Sequence, residues 1–389
     1  MASEALADIQ SLIDNYVYLV DEMNPGVQLG VVVGAVTPDN PQGSIVCSSS
    51  SMITQGGSSF TLDATTPFEI GSVSKVFTLG IYNMLQSAPN MGGTLGEMLG
   101  TNMPISSAVS AVPIQCLAGY ASGFPQDNGD CPCHTNPITP ATVATLDALF
   151  KFLSGYDTMA YTPGTMFSYS NLAASLLSMA ALGLDNTDTD AFGISYNNAL
   201  IDYCQTFGVD GGSTPTTLVY NQVDASTLPL GYDDDFKPST AQPCSIVEYG
   251  SGGIVSNGND MLQFLIHAMS TNYPVFTQEY RWQLPAYCLE NNPPGPMTGY
   301  GWFLSDHTFK SQTMRIVSKD GGVTGFTSWI GLEQRSSRQS ASPRGLFVLT
   351  NGPQATQLGA QAFACLVPPK STTANPVAFP SYSGKANAR

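Results

Sequence analysis

The chain has 389 residues, of which 42% are hydrophobic and only 11% are charged, and its formal net charge is −16. This composition is typical of a folded protein with a large core, and it excludes global disorder. Because only 13 lysines and arginines are scattered along an acidic chain, we expect no nucleic-acid partner.

The chain begins with an amphipathic segment and continues into strands. Apolar residues recur at three- and four-residue spacing over 4–22, which predicts a helix that ends before Pro25-Gly26. This acidic segment lacks the basic start and the uninterrupted apolar stretch of a signal peptide, and we leave the localisation unknown. The β-branched run over 27–36 predicts a buried central strand, and residues 45–53 predict two further strands.

Helices alternate with polar loops in the middle of the chain, and strands return near its end. The predicted helices cover 72–87, 145–153, 171–182, 196–207, 259–269 and 354–365. The predicted C-terminal strands cover 314–318, 325–332 and 345–351. We expect the Pro-, Ser-, Thr- and Ala-rich tail after Pro368 to be extended or disordered. No apolar run reaches the roughly 20 residues of a membrane-spanning helix, so no membrane span is expected.

This order of elements predicts an α/β (α+β) fold. Strands from both ends of the chain would pair in one antiparallel sheet, flanked by the terminal helices. We expect residues 1–75 and 295–389 to form this sheet lobe and residues 76–294 to form a mostly helical lobe. A cleft between two such lobes is a common place for a ligand site.

A serine and a lysine lie three residues apart in Ser72-Val73-Ser74-Lys75, at the start of a predicted helix. This spacing brings the amine of Lys75 within reach of the Ser72 hydroxyl. Serine becomes a good nucleophile when a base takes its proton, and a lysine can act as that base if its pKa is lowered. Backbone N–H groups at the helix start could stabilise an oxyanion. By itself the pair is a weak signal, and an ordinary surface serine and lysine would explain it.

A second candidate group is Tyr169-Ser170-Asn171, which follows a Pro-Gly turn and precedes a predicted helix. A phenol beside two ammonium groups can have a lowered pKa and can transfer protons. The amide of Asn171 can orient a lysine or a substrate carbonyl. A core tyrosine and a helix-capping asparagine would give the same pattern.

A third candidate group is Lys319-Asp320-Gly321-Gly322, which we expect at the end of a strand. The two glycines permit a close approach of a ligand to the backbone, and the N–H of Gly322 could be a second oxyanion donor. A hairpin with a Lys-Asp-Gly-Gly turn would explain the same residues.

Cysteine and histidine give little evidence for a metal or for another catalytic pattern. Cys131-Pro-Cys133-His134 has no second pair at ligand spacing, so free thiols or a disulfide explain it better and no metal is predicted. The eight cysteines leave the disulfide state open. His267, on the apolar face of a predicted helix, is interpreted as structural. Neither G-x-S-x-G nor H-E-x-x-H is present, which argues against a Ser-His-Asp hydrolase.

The order of the three groups is more specific than any one of them. FEIGSVSK, then YSN after a Pro-Gly-Thr turn, then Lys-x-Gly at a strand resemble the serine β-lactamase and penicillin-binding-protein superfamily. The resemblance is closest to class C β-lactamases and the related family VIII-type esterases, and it covers roughly residues 20–366. LAGYASGFP (117–125), EYGSGGIVSNGNDMLQFL (248–265) and GYGWFL (299–304) also resemble stretches of that family.

The resemblance implies a role for each matching residue. Ser72 would be the acylated nucleophile, with Lys75 and Tyr169 as proton-transfer groups. Asn171 would orient the substrate, and Lys319 would support the tyrosine and face a substrate carboxylate. Gly321 and Gly322 would complete the binding edge. No metal or cofactor is implied.

Two positions depart from the family pattern. Asp320 stands where a class C β-lactamase has threonine, so this position cannot donate a hydrogen bond and can partly neutralise Lys319. A substrate with its own carboxylate would then be disfavoured. Tyr120-Ala121-Ser122 replaces His-Thr-Ser, which we interpret as a packing change.

We therefore predict a serine hydrolase that acts on ester or amide carbonyls, including those of β-lactams, of small-molecule substrates. A D-amino-acid peptidase or amidase and an acyltransferase remain alternatives on the same scaffold. The alternative from another class is a non-catalytic penicillin-binding or sensor module. The natural substrate and the oligomeric state are left open.

Overall fold

We describe the fold from a computed structural model, which covers residues 2–86, 91–124, 145–209, 217–239, 244–270, 280–281, 297–334 and 343–368. The tail after Pro368 and the candidate residues Cys131, Cys133, His134 and Cys288 lie outside the described residues. Within the described ranges, no helix combines the length and the apolar character needed to cross a membrane.

The strands of the described ranges are mostly short before residue 260 and longer after it. They are β1 (Gly30–Thr37), β2 (Asn40–Ser49), β3 (Met52–Ile53), β4 (Ser59–Phe60), β5 (Phe68–Glu69), β6 (Leu218–Val219), β7 (Gly231–Tyr232), β8 (Pro238–Ser239), β9 (Ile254–Ser256), β10 (Tyr280–Arg281), β11 (Met297–Thr298), β12 (Phe303–Phe309), β13 (Gln312–Val323), β14 (Phe326–Glu333) and β15 (Gly345–Thr350). Eight of them form one antiparallel sheet in the order β10-β11-β12-β13-β14-β15-β1-β2. Strands from the two ends of the chain therefore lie side by side, as the sequence predicts.

Strand β1 explains why its sequence is a continuous apolar run. All eight of its residues are buried, and it pairs with β15 on one side and with β2 on the other. Successive side chains of a strand point to opposite faces. Val31 and Val33 accordingly pack in one core, whereas Val32 packs in the other. The sheet is thus covered on both faces.

The helices cover the two faces of this sheet and build the region between β5 and β9. They are α1 (Ala2–Met23), α2 (Ser74–Gln86), α3 (Leu95–Met98), α4 (Ser107–Ser110), α5 (Ile114–Ala118), α6 (Leu146–Ser154), α7 (Asn171–Ala181), α8 (Thr189–Gln205), α9 (Tyr249–Gly252), α10 (Gly258–Ala268) and α11 (Ala355–Leu366). Helices α1 and α11 pack on one face, and α10 packs against β1, β2 and β15 on the other. The antiparallel sheet flanked by terminal helices confirms the predicted fold class.

Two predicted elements differ from the structure. Helix α8 begins at Thr189, seven residues before the predicted start at 196, because Asp188 caps it by accepting a hydrogen bond from the N–H of Ala191. The prediction that Lys319-Asp320-Gly321 ends a strand is wrong. Strand β13 runs on to Val323, and the turn follows at Thr324-Gly325, where Gly325 has φ +90°.

The division of the chain into lobes at 75/76 and 294/295 stays a prediction. Helix α10 and strand β10 come from the range assigned to the helical lobe, but α10 packs on the sheet and β10 is its edge strand. Helices α2 and α7 pack against each other at the start of the helical region. The end of β5 and the start of α2 lie where this region meets β13.

Candidate active site

Ser72 lies in a tight turn between a strand and a helix. A 3-10 turn, Gly71–Val73, links β5 to α2, which begins at Ser74. Gly71 has φ +49°, and a Cβ at this position would come within 2.6 Å of the backbone N of Gly322. Only glycine permits this crossing of two backbones. The turn therefore holds Ser72, which is partly exposed, directly beside β13.

The Ser72 hydroxyl is within hydrogen-bonding distance of two ionisable side chains. Lys75 Nζ donates to Ser72 Oγ at 2.9 Å, and Tyr169 OH donates to the same oxygen at 2.7 Å. The structure thus brings together three residues that are up to 97 positions apart in sequence. Either partner can accept the Ser72 proton after losing its own.

Lys75 is held by acceptors from two further elements. Its side chain is buried, and Nζ also donates to Asn171 Oδ1 and to the backbone O of Ser251, the latter at 2.7 Å. Asn171 is the first residue of α7, whose N-terminus is capped by Ser170. Asn171 therefore orients the lysine. Ser251 was not predicted as a site residue, because a backbone carbonyl leaves no signal in the sequence.

Two ammonium groups set the pKa of Tyr169. Burial alone would raise it, but the charges of Lys319 and then Lys75, together with a hydrogen bond to Ser72, outweigh burial and lower the pKa below its ordinary value. The ammonium of Lys75 lies 4.9 Å from the centre of the ring, and that of Lys319 lies 5.4 Å from it. A lowered pKa suits a group that takes a proton near neutral pH.

The ring of Tyr169 is held by an aromatic stack. Tyr120 stacks on it with ring centroids 5.2 Å apart, and Phe303 stacks on Tyr120 at 5.1 Å. Tyr120 OH donates to the backbone O of Gly301 at 2.6 Å, and its backbone O accepts from the N–H of Ser168 at 2.7 Å. From the sequence, the replacement of the family's His-Thr-Ser by Tyr120-Ala121-Ser122 was interpreted as a packing change. In the structure, the side chain on which Tyr120 packs is Tyr169.

The charged residues of the third group differ strongly in exposure. Lys319 is 1% exposed and Asp320 is 57% exposed. Lys319 Nζ donates to the backbone O of Asp320 at 2.6 Å and lies 3.3 Å from Oδ1 of the same residue. Burial would lower the pKa of Lys319, but Asp320 and Tyr169 raise it above its ordinary value, and Lys319 in turn lowers the pKa of Asp320. Both members of the pair are therefore charged at neutral pH.

Gly321 and Gly322 place the backbone of β13 against the Ser72 turn. A Cβ at Gly321 would meet the backbone O of Ile70 at 2.1 Å, so no other residue fits there. A Cβ at Gly322 would meet nothing within 4 Å. The backbone N of Gly322 lies beside Gly71, one residue from Ser72. The predicted pair of oxyanion donors, the N–H groups of Ser72 and Gly322, therefore belongs to neighbouring stretches of backbone.

The carboxyl groups of Glu69, which is buried, and of Glu248, which is partly buried, have raised pKa values. Glu69 precedes the Ser72 turn, and burial raises its pKa to about 8. Burial also raises the pKa of Glu248, although Lys75 opposes the shift. Burial is the main cause of the raised pKa of Cys244, and the charges of Glu248 and Glu69 raise it further. The three groups therefore lie near one another. The sequence did not single these carboxyl groups out, since nothing in it reveals their burial.

The described residues contain no group of three or more side chains arranged to hold a metal ion. His267 packs its ring on Phe207, with centroids 4.9 Å apart, which agrees with the structural role inferred for it. The described cysteines Cys47, Cys116, Cys204, Cys244 and Cys365 are free. The disulfide state of the remaining three cysteines stays open.

A family model and several solved structures are similar to this chain. The family model named Beta-lactamase matches residues 25–364. The chain is similar in structure to a class C beta-lactamase, with a TM-score of 0.66 and 15% identity over 95% of this chain and 98% of that one. It is also similar to a beta-lactamase/D-alanine carboxypeptidase from Yersinia pestis, with a TM-score of 0.62 and 18% identity over 92% of this chain and 98% of that one.

A D-alanine carboxypeptidase from Burkholderia cenocepacia is similar as well, with a TM-score of 0.60 and 18% identity over 93% of this chain and 99% of that one. No curated protein matches the chain. At these identities the solved structures show the fold alone, whereas the family model spans most of the chain. The chain belongs to the β-lactamase family, whose members are in general serine hydrolases.

Proposed function

We propose that the protein is a serine hydrolase that cleaves carboxylic esters through an acyl-enzyme on Ser72, with weaker activity on β-lactams. The observation that carries the proposal is the contact of Ser72 Oγ with both Lys75 Nζ, at 2.9 Å, and Tyr169 OH, at 2.7 Å. A serine hydroxyl between two groups that can exchange protons is the arrangement that activates this nucleophile.

The reaction has two balanced steps. In the first, Ser72 Oγ bonds to the carbonyl carbon while its proton passes to Lys75 or Tyr169, and the leaving oxygen then takes that proton as its bond to carbon breaks. In the second, a water molecule attacks the acyl carbon, and Ser72 recovers its proton as the acid is released. The N–H groups of Ser72 and Gly322 would stabilise the oxyanion of each tetrahedral intermediate.

Asp320 favours an esterase over a β-lactamase or a D-alanyl peptidase. Penicillins, cephalosporins and D-Ala-D-Ala peptides carry a carboxylate close to the scissile bond. Asp320 presents a second negative charge on the edge where such substrates would bind. A β-lactamase, a D-amino-acid peptidase or amidase, and an acyltransferase remain alternatives with the same acyl-enzyme.

Turnover of three substrates tests the proposal. For the wild-type chain we expect p-nitrophenyl butyrate to be cleaved fastest, nitrocefin at least about tenfold more slowly, and a D-Ala-D-Ala peptide slowest. Ser72→Ala should lower ester turnover at least about 10³-fold. Ser107→Ala, which changes an exposed serine on α4, serves as the control and should keep full activity.

The alternatives give different results in the same assay. Faster turnover of nitrocefin or of the peptide than of the ester would replace the esterase with one of those activities. An acyl product other than the free acid, formed when an alcohol or amine is added, would indicate an acyltransferase. A stable acyl-enzyme without turnover of any substrate would favour the non-catalytic binding module.

A further inference from the structure

We infer that the cleft beside Ser72 contains a subsite for a cationic group of the substrate, built on the exposed carboxylate of Asp320, and that this subsite disfavours a substrate carboxylate. The inference rests on the proposed function and names the class of substrate that the same site prefers. An ammonium or quaternary ammonium group is the chemistry that complements an exposed carboxylate.

The ammonium group of Lys319 is enclosed by protein groups. Nζ donates to the backbone O of Asp320 and lies close to Oδ1 of the same residue. The rings of Tyr169 and Phe303 lie next to it, each with its centroid 5.4 Å from Nζ. With only 1% of the side chain exposed, Lys319 offers little surface to a substrate carboxylate.

Asp320 is an exposed charged residue on the part of β13 that lies beyond its pairing with β12. Strand β12 pairs with β13 only as far as Ser318, and beyond that point no described strand pairs with the same edge. The following residues, Gly321 and Gly322, lie against the turn that carries Ser72. A substrate placed for attack by Ser72 therefore lies along this open edge, next to the carboxylate of Asp320.

The backbone leaves room for a substituent at this position. Residues two apart in a strand point to the same face, so Asp320 and Gly322 share one face of β13. Both are exposed, and the direction in which Gly322 would carry a side chain is open for at least 4 Å. Gly321 meets the Ser72 turn on the opposite face, so the carboxylate comes to the site around the open edge of β13, where its Oδ1 lies 3.3 Å from Lys319 Nζ.

The charge balance favours a cation over an anion. The charges of Lys319 and Asp320 cancel, whereas a threonine at position 320 would leave the lysine uncompensated. Lys319 and, more weakly, Lys75 lower the pKa of Asp320, so its carboxylate is ionised at neutral pH. The net charge of −16 also attracts cations at long range and repels anions. Selection by repulsion of the wrong charge is a common source of specificity.

Three esters of matched shape measure the preference directly. They are the p-nitrophenyl esters of 4-(trimethylammonio)butanoic acid, of 5,5-dimethylhexanoic acid and of glutaric acid, which carry a cation, no charge and a carboxylate at the same distance. For the wild-type chain we expect kcat/KM to fall in that order, with roughly a tenfold step between cation and carboxylate. High salt screens these charges and should reduce the differences between the three kcat/KM values.

Variants at position 320 test the residue itself. Asp320→Asn should bring the three kcat/KM values within about threefold of one another, and Asp320→Thr should reverse the order. Asp8→Asn removes the same charge from an exposed position on α1 and should leave the wild-type order unchanged. Thermal melting of each variant confirms that it is folded.

The outcomes separate this inference from the proposed function. When hydrolysis of the acyl-enzyme is slow, the burst of p-nitrophenol and the mass of the acyl-enzyme compare how fast the three esters acylate the protein. Ser72-dependent acylation without the predicted order, or an order unchanged by Asp320→Asn, would overturn the inference and leave the proposed function standing. Absence of Ser72-dependent acylation by all three esters would overturn both.

Discussion

At the scale of single residues, the charge states of Lys75 and Tyr169 depend on each other. The ammonium of Lys75 lies 4.9 Å from the centre of the Tyr169 ring, and both groups donate to Ser72 Oγ. Lys319 and Lys75 lower the pKa of Tyr169 against the effect of burial. When two groups interact this strongly, their titration belongs to the pair and not to either residue. A pH profile of the reaction would therefore report on the Lys75–Tyr169 pair as one unit.

The buried carboxyl group of Glu69 makes a prediction about stability. Its folded-state pKa is about 8, above the ordinary value of 4.5. Below pH 4.5 both the folded and the unfolded chain keep the proton. Between pH 4.5 and pH 8 the unfolded chain releases it while the folded chain does not, so the contribution of Glu69 to stability falls as pH rises through this window.

Glu69→Gln should remove this dependence, because the amide has the same shape and does not titrate. We expect the variant and the wild-type chain to have similar free energies of unfolding at pH 5. At pH 8.5 the variant should be more stable by roughly 4–5 kcal/mol, at about 1.4 kcal/mol per unit of pKa shift. Urea denaturation at the two pH values measures the difference, and an equal gap at both would contradict the buried, neutral Glu69.

At the scale of elements, the site depends on how a loop after α5 meets the loop before α7. Tyr120 has φ +62°, a conformation that residues other than glycine rarely adopt. Hydrogen bonds at both its backbone O and its OH fix this conformation. Its ring stacks on those of both Tyr169 and Phe303, whose centroids are themselves 6.5 Å apart. We interpret Tyr120 as a positioning residue, which acts on the reaction through Tyr169.

Substitutions at Tyr120 separate the ring from its hydroxyl. Tyr120→Phe keeps the stack and should keep most of the activity. Tyr120→Leu removes the stack and should lower kcat roughly 10–100-fold with little change in KM, because the phenol of Tyr169 loses its exact placement on Ser72. The comparison is made by measuring kcat and KM of the wild-type chain and of both variants at a temperature well below the melting temperature of each. A folded Tyr120→Leu variant with unchanged kcat would show that the role is structural only.

The elements that carry the site were predictable to different degrees. The helix at Ser72 and Lys75 and the helix that begins at Asn171 follow from periodicity and capping, and both are present. The strand that carries Lys319 was predicted to end at Gly321, because glycines weaken strand propensity, but it continues to Val323. Pairing of this segment with β14 and its close contact with the Ser72 turn outweigh that propensity. The stack of Tyr120 could not be predicted, since it is a tertiary contact at an unusual backbone conformation.

At the scale of the whole molecule, the pairing of β1 with β15 brings the two ends of the chain into one sheet. The segment between them returns to the sheet from β10 onward, and the open edge of β13 lies beside Ser72. Alternation of strand-rich ends with a helix-rich middle is visible in the sequence, which is why the fold class was predictable. The exposure of Asp320 and the burial of Lys319 decide the charge of the site. They depend on packing, and they could not be predicted from the sequence.

The central claim is that the oxygen of Ser72 becomes acylated by attack on an electrophile. Labelling with a fluorophosphonate, followed by intact mass spectrometry and peptide mapping, tests it most directly. We predict that one phosphonyl group is added to wild-type protein, on the peptide that contains Ser72, and that Ser72→Ala remains unlabelled while keeping its fold. Equal labelling of Ser72→Ala, or a label on another residue of the wild-type chain, would contradict the account.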